Sequence, residues 1–336
     1  MAKHKLAALA LWLGTIVSTA SIATAEQVRI SAFNVKNFGR SKMKDHRTVD
    51  HLVEILSRYD VVLVQEIKDV TNEAVYQLLD KLNQHDPNRS YELVMSPRLG
   101  RTSQKENYGF FYRPDKIEPI ESYTYADKDD VFEREPFVVR FQWEGTRFSL
   151  VGIHTKPRDA TQEIFALKDV HTEVSERWED DGVFIIGDFN ADCSYYNPER
   201  NGFQFFDDPM GILITDEFDT TVSDTDCAYD RILVSGEIYG KIDSSWVYYF
   251  DDAMRLPRSA ALRVSDHYPV VFTLDSDREM KLPPQHSIFL PKTPTRNPHS
   301  IKAPNSCGIK PYRTPKNYCF ATKSGIKTRV ANSCCG

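Results

Sequence analysis

Short apolar runs alternating with amphipathic segments predict an α/β fold in which packed β-sheets are covered by helices. Three observations carry this. Runs such as Val61-Val62-Leu63-Val64 and Val183-Phe184-Ile185-Ile186 are apolar throughout and are bounded by polar residues, the mark of buried strands. Other stretches alternate as half-buried strands do. Between them lie segments whose apolar residues recur at helical spacing. No internal repeat is present.

Taken in order, residues 28–33 read as a strand. Residues 46–58 read as a helix, with Val49, Leu52, Val53 and Leu56 on one face. Val61 to Val64 form a strand that delivers Gln65 and Glu66. Asn72 is placed to cap a helix carrying Val75, Leu78, Leu79 and Leu82, which ends near Asp86-Pro87. Strands follow at 91–95, 108–112, 137–143 and 148–154, then a helix over 162–178. The last strands are 183–186, 232–234 and 270–274.

The two ends of the chain differ from its middle. Lys3 and Lys5 precede the apolar run 6–13, and Ala23-Thr24-Ala25 follows. This is the pattern of a secretory signal peptide over residues 1–25, cleaved near Ala25. Ser18, Thr19, Ser21 and Thr24 break the run and disfavour a retained anchor. No later run approaches the length of a membrane span, so stable membrane insertion is not expected. The mature protein is expected outside the cytoplasm, extracellular or periplasmic. Residues 26–281 form the main domain. Six prolines make 282–305 a linker. Residues 306–336 are too few to fold on a core alone and read as a small disulfide-stapled C-terminal module.

Charge divides along the same boundaries. Residues 286–336 hold nine Lys and Arg and no acidic residue, whereas 26–285 hold 31 basic against 48 acidic residues. An acidic domain does not hold a polyanion by charge alone. If it acts on phosphates, it recruits divalent cations or a local basic patch. All six cysteines lie beyond residue 190. Export permits disulfides. Cys193 and Cys227 stand apart from Cys307, Cys319, Cys334 and Cys335 and are the expected bridge of the main domain. The tail lacks the CxxC of a zinc knuckle.

Polar residues at strand ends mark the chemistry. Asn34, Glu66 and His154 end apolar strands, Asp188 and Asn190 end the 183–186 run, and Asp266-His267 precede another. A lone strand-end Glu is ordinarily solvated, a lone Asn forms turns, and a lone His is more often structural. Five polar tips on one chain change that weighting. Residues i and i+2 of a strand share a face, which aims Asp188 and Asn190 into one pocket. Asn34, Glu66, Asp188 and Asn190 make an oxygen set suited to magnesium. His154 and His267 exchange protons near neutral pH, and Glu106 and Asp230 are candidate carboxylate partners. For Asp230 the plainer alternative is an ion pair with Arg231.

The motifs "AFNVKNFG", "VLVQEIKD", "KENYGFFYRPDKI", "EREPFVVRF", "GIHTKP", "IIGDFNADCSYY", "CAYDRILV" and "VSDHYPVVF" occur in this order. Over about residues 27–275 the chain resembles the secreted deoxyribonuclease I family of the endonuclease/exonuclease/phosphatase superfamily. The resemblance implies a four-layer sandwich, two mixed β-sheets packed face to face between helices. It implies metal-dependent hydrolysis of DNA phosphodiesters to 5′-phosphate ends. It pairs His154 with Glu106 and His267 with Asp230 as general acid and base, and assigns the cation, magnesium or manganese, to Asn34, Glu66, Asp188, Asn190 and Asp266. Residues 219–225 resemble a family calcium loop, with Asp219, Thr221, Ser223 and Thr225 as ligands; an ordinary polar loop is the plainer reading. Arg134 matches a phosphate-contacting arginine, and Lys68 stands where the family commonly has a minor-groove arginine. Gln104 replaces a tyrosine of several vertebrate members, and the second, small vertebrate disulfide is missing. The basic tail, with Tyr312, Tyr318 and Phe320, suits DNA or another polyanion, or serves only solubility. A monomer fits a diffusing nuclease.

Two other readings stand beside this one. A phosphodiesterase acting on sphingomyelin or inositol phosphates shares the "GDFN" and "SDH" core. A non-catalytic relic requires decayed catalytic positions, and those placed here are intact.

Overall fold

The computed structural model describes residues 25–203 and 206–284, together with the backbone of 319–323 and 326–330. The signal peptide read up to residue 24, the linker from residue 285, and Cys307, Cys334 and Cys335 lie outside the described residues.

In chain order the elements are β1 (Gln27–Phe38), α1 (Arg40–Met43), α2 (His46–Leu56), β2 (Val61–Ile67), α3 (Glu73–His85), β3 (Glu92–Met95), β4 (Asn107–Tyr112), β5 (Glu118–Thr124), β6 (Phe137–Trp143) and β7 (Thr146–His154). There follow α4 (Ala160–Trp178), β8 (Gly182–Asp188), α5 (Pro198–Asn201), β9 (Gly211–Ile212), β10 (Asp230–Ser235), β11 (Ile242–Val247), α6 (Phe250–Ala253), α7 (Arg258–Val264) and β12 (Val270–Asp275). In the tail, β13 (Cys319–Lys323) and β14 (Ile326–Val330) pair as an antiparallel hairpin.

Two six-stranded mixed sheets form the body, in the orders β11-β12-β1-β2-β4-β3 and β5-β6-β7-β8-β10-β9. Each holds one parallel pair, β1 with β2 and β7 with β8, joined by helical crossovers. The inner faces meet in an aromatic core. Phe184 of β8 stacks on Phe272 of β12 at 4.5 Å, and Phe110 of β4 lies 6.1 Å from both Phe137 and Phe141 of β6. Outside, Val49, Leu52, Val53 and Leu56 of α2 and Val75, Leu78 and Leu82 of α3 are buried in the same core as the first sheet. Ile164, Leu167, Val170 and Val174 of α4 pack with Val151, Val183 and Ile185 of the second. Helix, sheet, sheet, helix is the four-layer sandwich expected.

The structure differs from the sequence reading in particular places. Asn72 sits at the start of α3 in the left-handed region (φ 59°) and makes no side-chain cap. Asp69 takes that role, its Oδ2 accepting from Ala74 N at 2.9 Å. β1 runs past residue 33 to Phe38 through an irregularity between Asn34 and Phe38. Strands β5 and β11 were not legible because both are sheet edges with few buried apolar residues.

The topology gathers the polar tips. The C-terminal ends of β1, β2, β7 and β8 reach the same rim as the N-terminal ends of β10 and β12. Asp188 pairs in register with His154 on one side and Asp230 on the other. The three residues therefore stand in a row across β7, β8 and β10.

Candidate active site

Asp188 is the centre of the site and is almost fully buried. Gly187, before it, has φ 133°, a region closed to most L side chains. A Cβ there would stand 2.3 Å from Ile153 O and 2.8 Å from Gln65 Nε2. Gln65 fills that space. It donates from Nε2 to Ile153 O at 2.7 Å and accepts from Asp188 N at 3.0 Å, so a buried amide of the first sheet fixes the strand ends of the second.

Two imidazoles converge on Asp188. His154 Nδ1 lies 2.8 Å from Glu106 Oε1, and its Nε2 lies 3.4 Å from Asp188 Oδ2. His267 repeats this, with Nδ1 2.8 Å from Asp230 Oδ2 and Nε2 3.5 Å from Asp188 Oδ2. Glu106 and Asp230 are wholly buried. Asp230 therefore faces His267, while the Arg231 guanidinium turns away to the carbonyls of Ile214 and Ala191. Each carboxylate orients its ring so that Nε2 faces the cleft. Burial pushes both histidines down, but the carboxylates outweigh it. His154 rises above its ordinary value against a further downward push from Arg134, lifted by Glu106 and Asp188. His267 is raised to about 10 by Asp230 and Asp188. Burial lifts Asp230 above its ordinary value against the pull of His267.

The oxygen-rich side of the site is built on Asn34. Its Nδ2 donates to Glu66 Oε1 at 3.1 Å and to Asp188 Oδ2 at 3.0 Å, bringing two carboxylates to one amide. Glu66 has φ 62° and accepts from Asn37 N at 2.8 Å. Burial opposes its ionisation, but His154, Lys68 and the Asn37 N–H hold its carboxyl at about 2. These are hard oxygen donors with their charge only partly answered by Lys68, a set that fits a divalent cation of the magnesium type. Oxygen and nitrogen atoms of Asp188, Asp230 and His267 also lie within 4.8 Å of one another, though Asp230 and His267 are already engaged with each other.

The remaining predicted residues fall around this centre. Asn190 is not reached by strand alternation, because β8 ends at Asp188 and Asn190 is left-handed (φ 47°). Its N donates to Asp188 Oδ1 at 3.0 Å and its Nδ2 to Thr155 O at 2.9 Å. Asp266 is partly exposed and lies 2.9 Å from Lys36 Nζ. Lys68 bonds Glu66 at 3.0 Å and Asn37 Oδ1 at 2.7 Å. Arg134 is only 6% exposed, and its guanidinium donates to the carbonyls of His154 and Thr155. Cys193 and Cys227 are disulfide-bonded, with Cα atoms 5.9 Å apart.

In the 219–225 loop, Asp219 Oδ1 accepts from Thr221 N at 2.9 Å, Thr221 Oγ1 lies 2.7 Å from Thr225 O, and Ser223 and Thr225 share a hydroxyl contact. The loop runs antiparallel to the segment carrying His267. Val222 N donates to Asp266 O and Tyr268 N to Thr220 O, both at 2.8 Å. Sequence reasoning missed several supports: Gln65, the Tyr108 hydroxyl that accepts from His154 N at 2.8 Å, and Ser265, which donates to Asn34 O at 2.6 Å and accepts from His267 N at 3.0 Å. A lone Gln in an apolar run was the one available signal.

Two packed mixed sheets with paired His–carboxylate units at one rim define the class. The Endonuclease/Exonuclease/phosphatase family matches residues 31–267. Solved structures share the fold: Bacteroides vulgatus endonuclease/exonuclease/phosphatase at 17% identity and TM-score 0.54, covering 76% of this chain and 99% of that one, and D. rerio TDP2 with single-strand DNA product at 17% and 0.54, covering 74% and 98%. Among curated proteins, Homo sapiens Deoxyribonuclease-1 is 43% identical over 272 residues, covering 77% of this chain and 96% of its own length. Sus scrofa Deoxyribonuclease-1 is 41% identical over 276 residues, covering 78% and 97%. The chain belongs to the deoxyribonuclease I family of that larger family.

Proposed function

We propose that this chain is a secreted, divalent-metal-dependent endonuclease. It hydrolyses DNA phosphodiester bonds to 5′-phosphate ends with low sequence specificity. One observation carries the reading: two histidines, each held through Nδ1 by a buried carboxylate 2.8 Å away, turn both Nε2 atoms toward Asp188. A phosphate between the rings meets a proton donor on one side and an acceptor on the other. Imidazolium charge on His267 stabilises the negative charge that gathers on the phosphoryl oxygens.

Glu66, Asp188, Asn34, Asn190 and Asp266 would hold magnesium or manganese. When bound, that cation neutralises charge on the phosphate. Asp219, Thr221, Ser223 and Thr225 would hold calcium and stiffen the segment carrying His267. Residues 1–25 direct export and are removed near Ala25, and the catalytic domain acts as a monomer. Among the described residues no helix is long and apolar enough to cross a membrane.

The basic module beyond the linker grips DNA for an acidic catalytic body. Support comes from the body itself, where Lys68 is spent on Glu66 and Arg134 on backbone carbonyls. Removing residues 282–336 is expected to weaken duplex binding and flatten its salt dependence; unchanged binding would leave the module without this role.

Supercoiled plasmid nicking tests the whole reading. Nicking is expected with magnesium and calcium, none with EDTA, and nicking slower by roughly 10²–10⁴ in His154→Ala. A wild-type protein that leaves the plasmid intact but cleaves sphingomyelin or inositol phosphates would overturn it.

A further inference from the structure

We propose that Lys42 is a positioning residue that locks the metal-facing half of this site to the His267 half. The inference rests on the nuclease reading only for the name of the reaction. Lys42 lies in α1 and its ammonium is turned inward. Its three N–H groups have three backbone acceptors: Val35 O, Lys36 O at 2.6 Å and Val264 O at 2.8 Å. An ammonium has three donors, so the set is complete.

The acceptors belong to two different parts of the site. Val35 and Lys36 lie in the irregularity of β1, where Lys36 and Asn37 are both left-handed, with φ 48° and 50°. Consecutive left-handed residues other than glycine persist only where their surroundings hold them. This stretch places Asn34, whose Oδ1 accepts from Lys36 N at 2.9 Å, and the Asn37 N–H that binds Glu66. Val264 ends α7, and Ser265 and His267 follow directly. Ser265 crosses back to Asn34 O, so ammonium and hydroxyl form two parallel ties between the same segments. Around the ammonium stand Glu66, Asp266 and Asp45 against Lys36, and burial holds the Lys42 amine down at about 8.

Lys42→Met removes the tie while keeping an apolar stem. Two readouts independent of catalysis test it: Mn2+ binding followed by loss of the free-ion EPR signal, and the 15N imidazole resonances of His267. Folded Lys42→Met is expected to bind Mn2+ about 10- to 100-fold more weakly, with the His267 resonances shifted or broadened. Plasmid nicking is expected to fall about a hundredfold. A lower melting temperature with wild-type Mn2+ binding and wild-type His267 resonances would mean that Lys42 serves stability alone, and would overturn the proposal. If Lys42→Met does not fold, Lys42→Gln carries the same test: wild-type values overturn the proposal and the shifts above support it. Wild-type protein without nuclease activity would refute the nuclease reading but leave both binding readouts in force.

Discussion

Arg134 holds the backbone of His154: its Nε donates to His154 O at 3.0 Å, and its Nη2 reaches Thr155 O at 3.2 Å. The guanidinium also lies 3.8 Å from Glu106, the carboxylate that orients the His154 ring. Arg134 thus supports the histidine from beneath rather than standing free at the surface. Arg134→Gln, which removes the charge together with the planar fork, is expected to lower kcat while the salt slope of duplex binding stays at its wild-type value. A direct phosphate contact would instead reduce that slope by about 1. Binding measured across a salt series separates the two.

The two His–carboxylate pairs are built alike, and removing either is expected to cost similarly. His154→Ala and His267→Ala should each slow plasmid nicking by roughly 10²–10⁴ with the fold intact. Glu106→Gln and Asp230→Asn, which leave the rings but not their anchors, should fall in the same direction. Full activity in either alanine variant, with circular dichroism unchanged, would remove that histidine from the reaction.

Gly187 is expected to tolerate no side chain. At φ 133°, and with Ile153 O 2.3 Å from where a Cβ would be, Gly187→Ala must move β8 or Gln65. We expect a loss of roughly 3 kcal/mol or more in urea unfolding. A variant within 1 kcal/mol of wild type, by the roughly ±0.5 kcal/mol scale of neutral surface changes, would show that the strand end yields freely.

His171 supplies a pH dependence far from the active site. It is buried on α4, with Nε2 2.6 Å from Ser235 Oγ. Burial pushes its imidazole below the ordinary value, against Asp208 and Asp207. A depressed histidine favours the neutral fold, so its contribution is complete above the unfolded value near 6.5 and is lost as pH falls through the folded value. Melting from pH 7.5 to 5.0 should therefore drop further for the wild type than for His171→Gln. Parallel curves would refute the assignment.

The Cys193–Cys227 bridge closes the segment that contains the 219–225 loop. Cys193→Ser is expected to lower stability by roughly 2–4 kcal/mol. Because Thr220 Oγ1 accepts from Asp230 N at 3.1 Å, loosening this loop should also reduce activity at temperatures below the melting transition.

The sequence by itself determined the candidate site residues and the layers. Buried strands end in, or follow, polar residues, and nothing in folding calls for polar residues there; that mismatch alone marks Asn34, Glu66, His154, Asp188 and His267. Helical periodicity likewise marked α2, α3 and α4, because a face that must be buried writes its spacing into the chain. Edge strands β5 and β11 left no such record, since solvent accepts nearly any residue. What only the tertiary structure decided was which polar groups meet. Asp188 lies between His154 and Asp230 because β7, β8 and β10 pair in that register, and register across distant segments is set by packing rather than by local sequence. The same holds for Gln65 against Gly187, Arg134 beneath His154 and Lys42 between Lys36 and Val264. Each is a long-range contact to backbone, and a backbone carbonyl has no letter in the sequence.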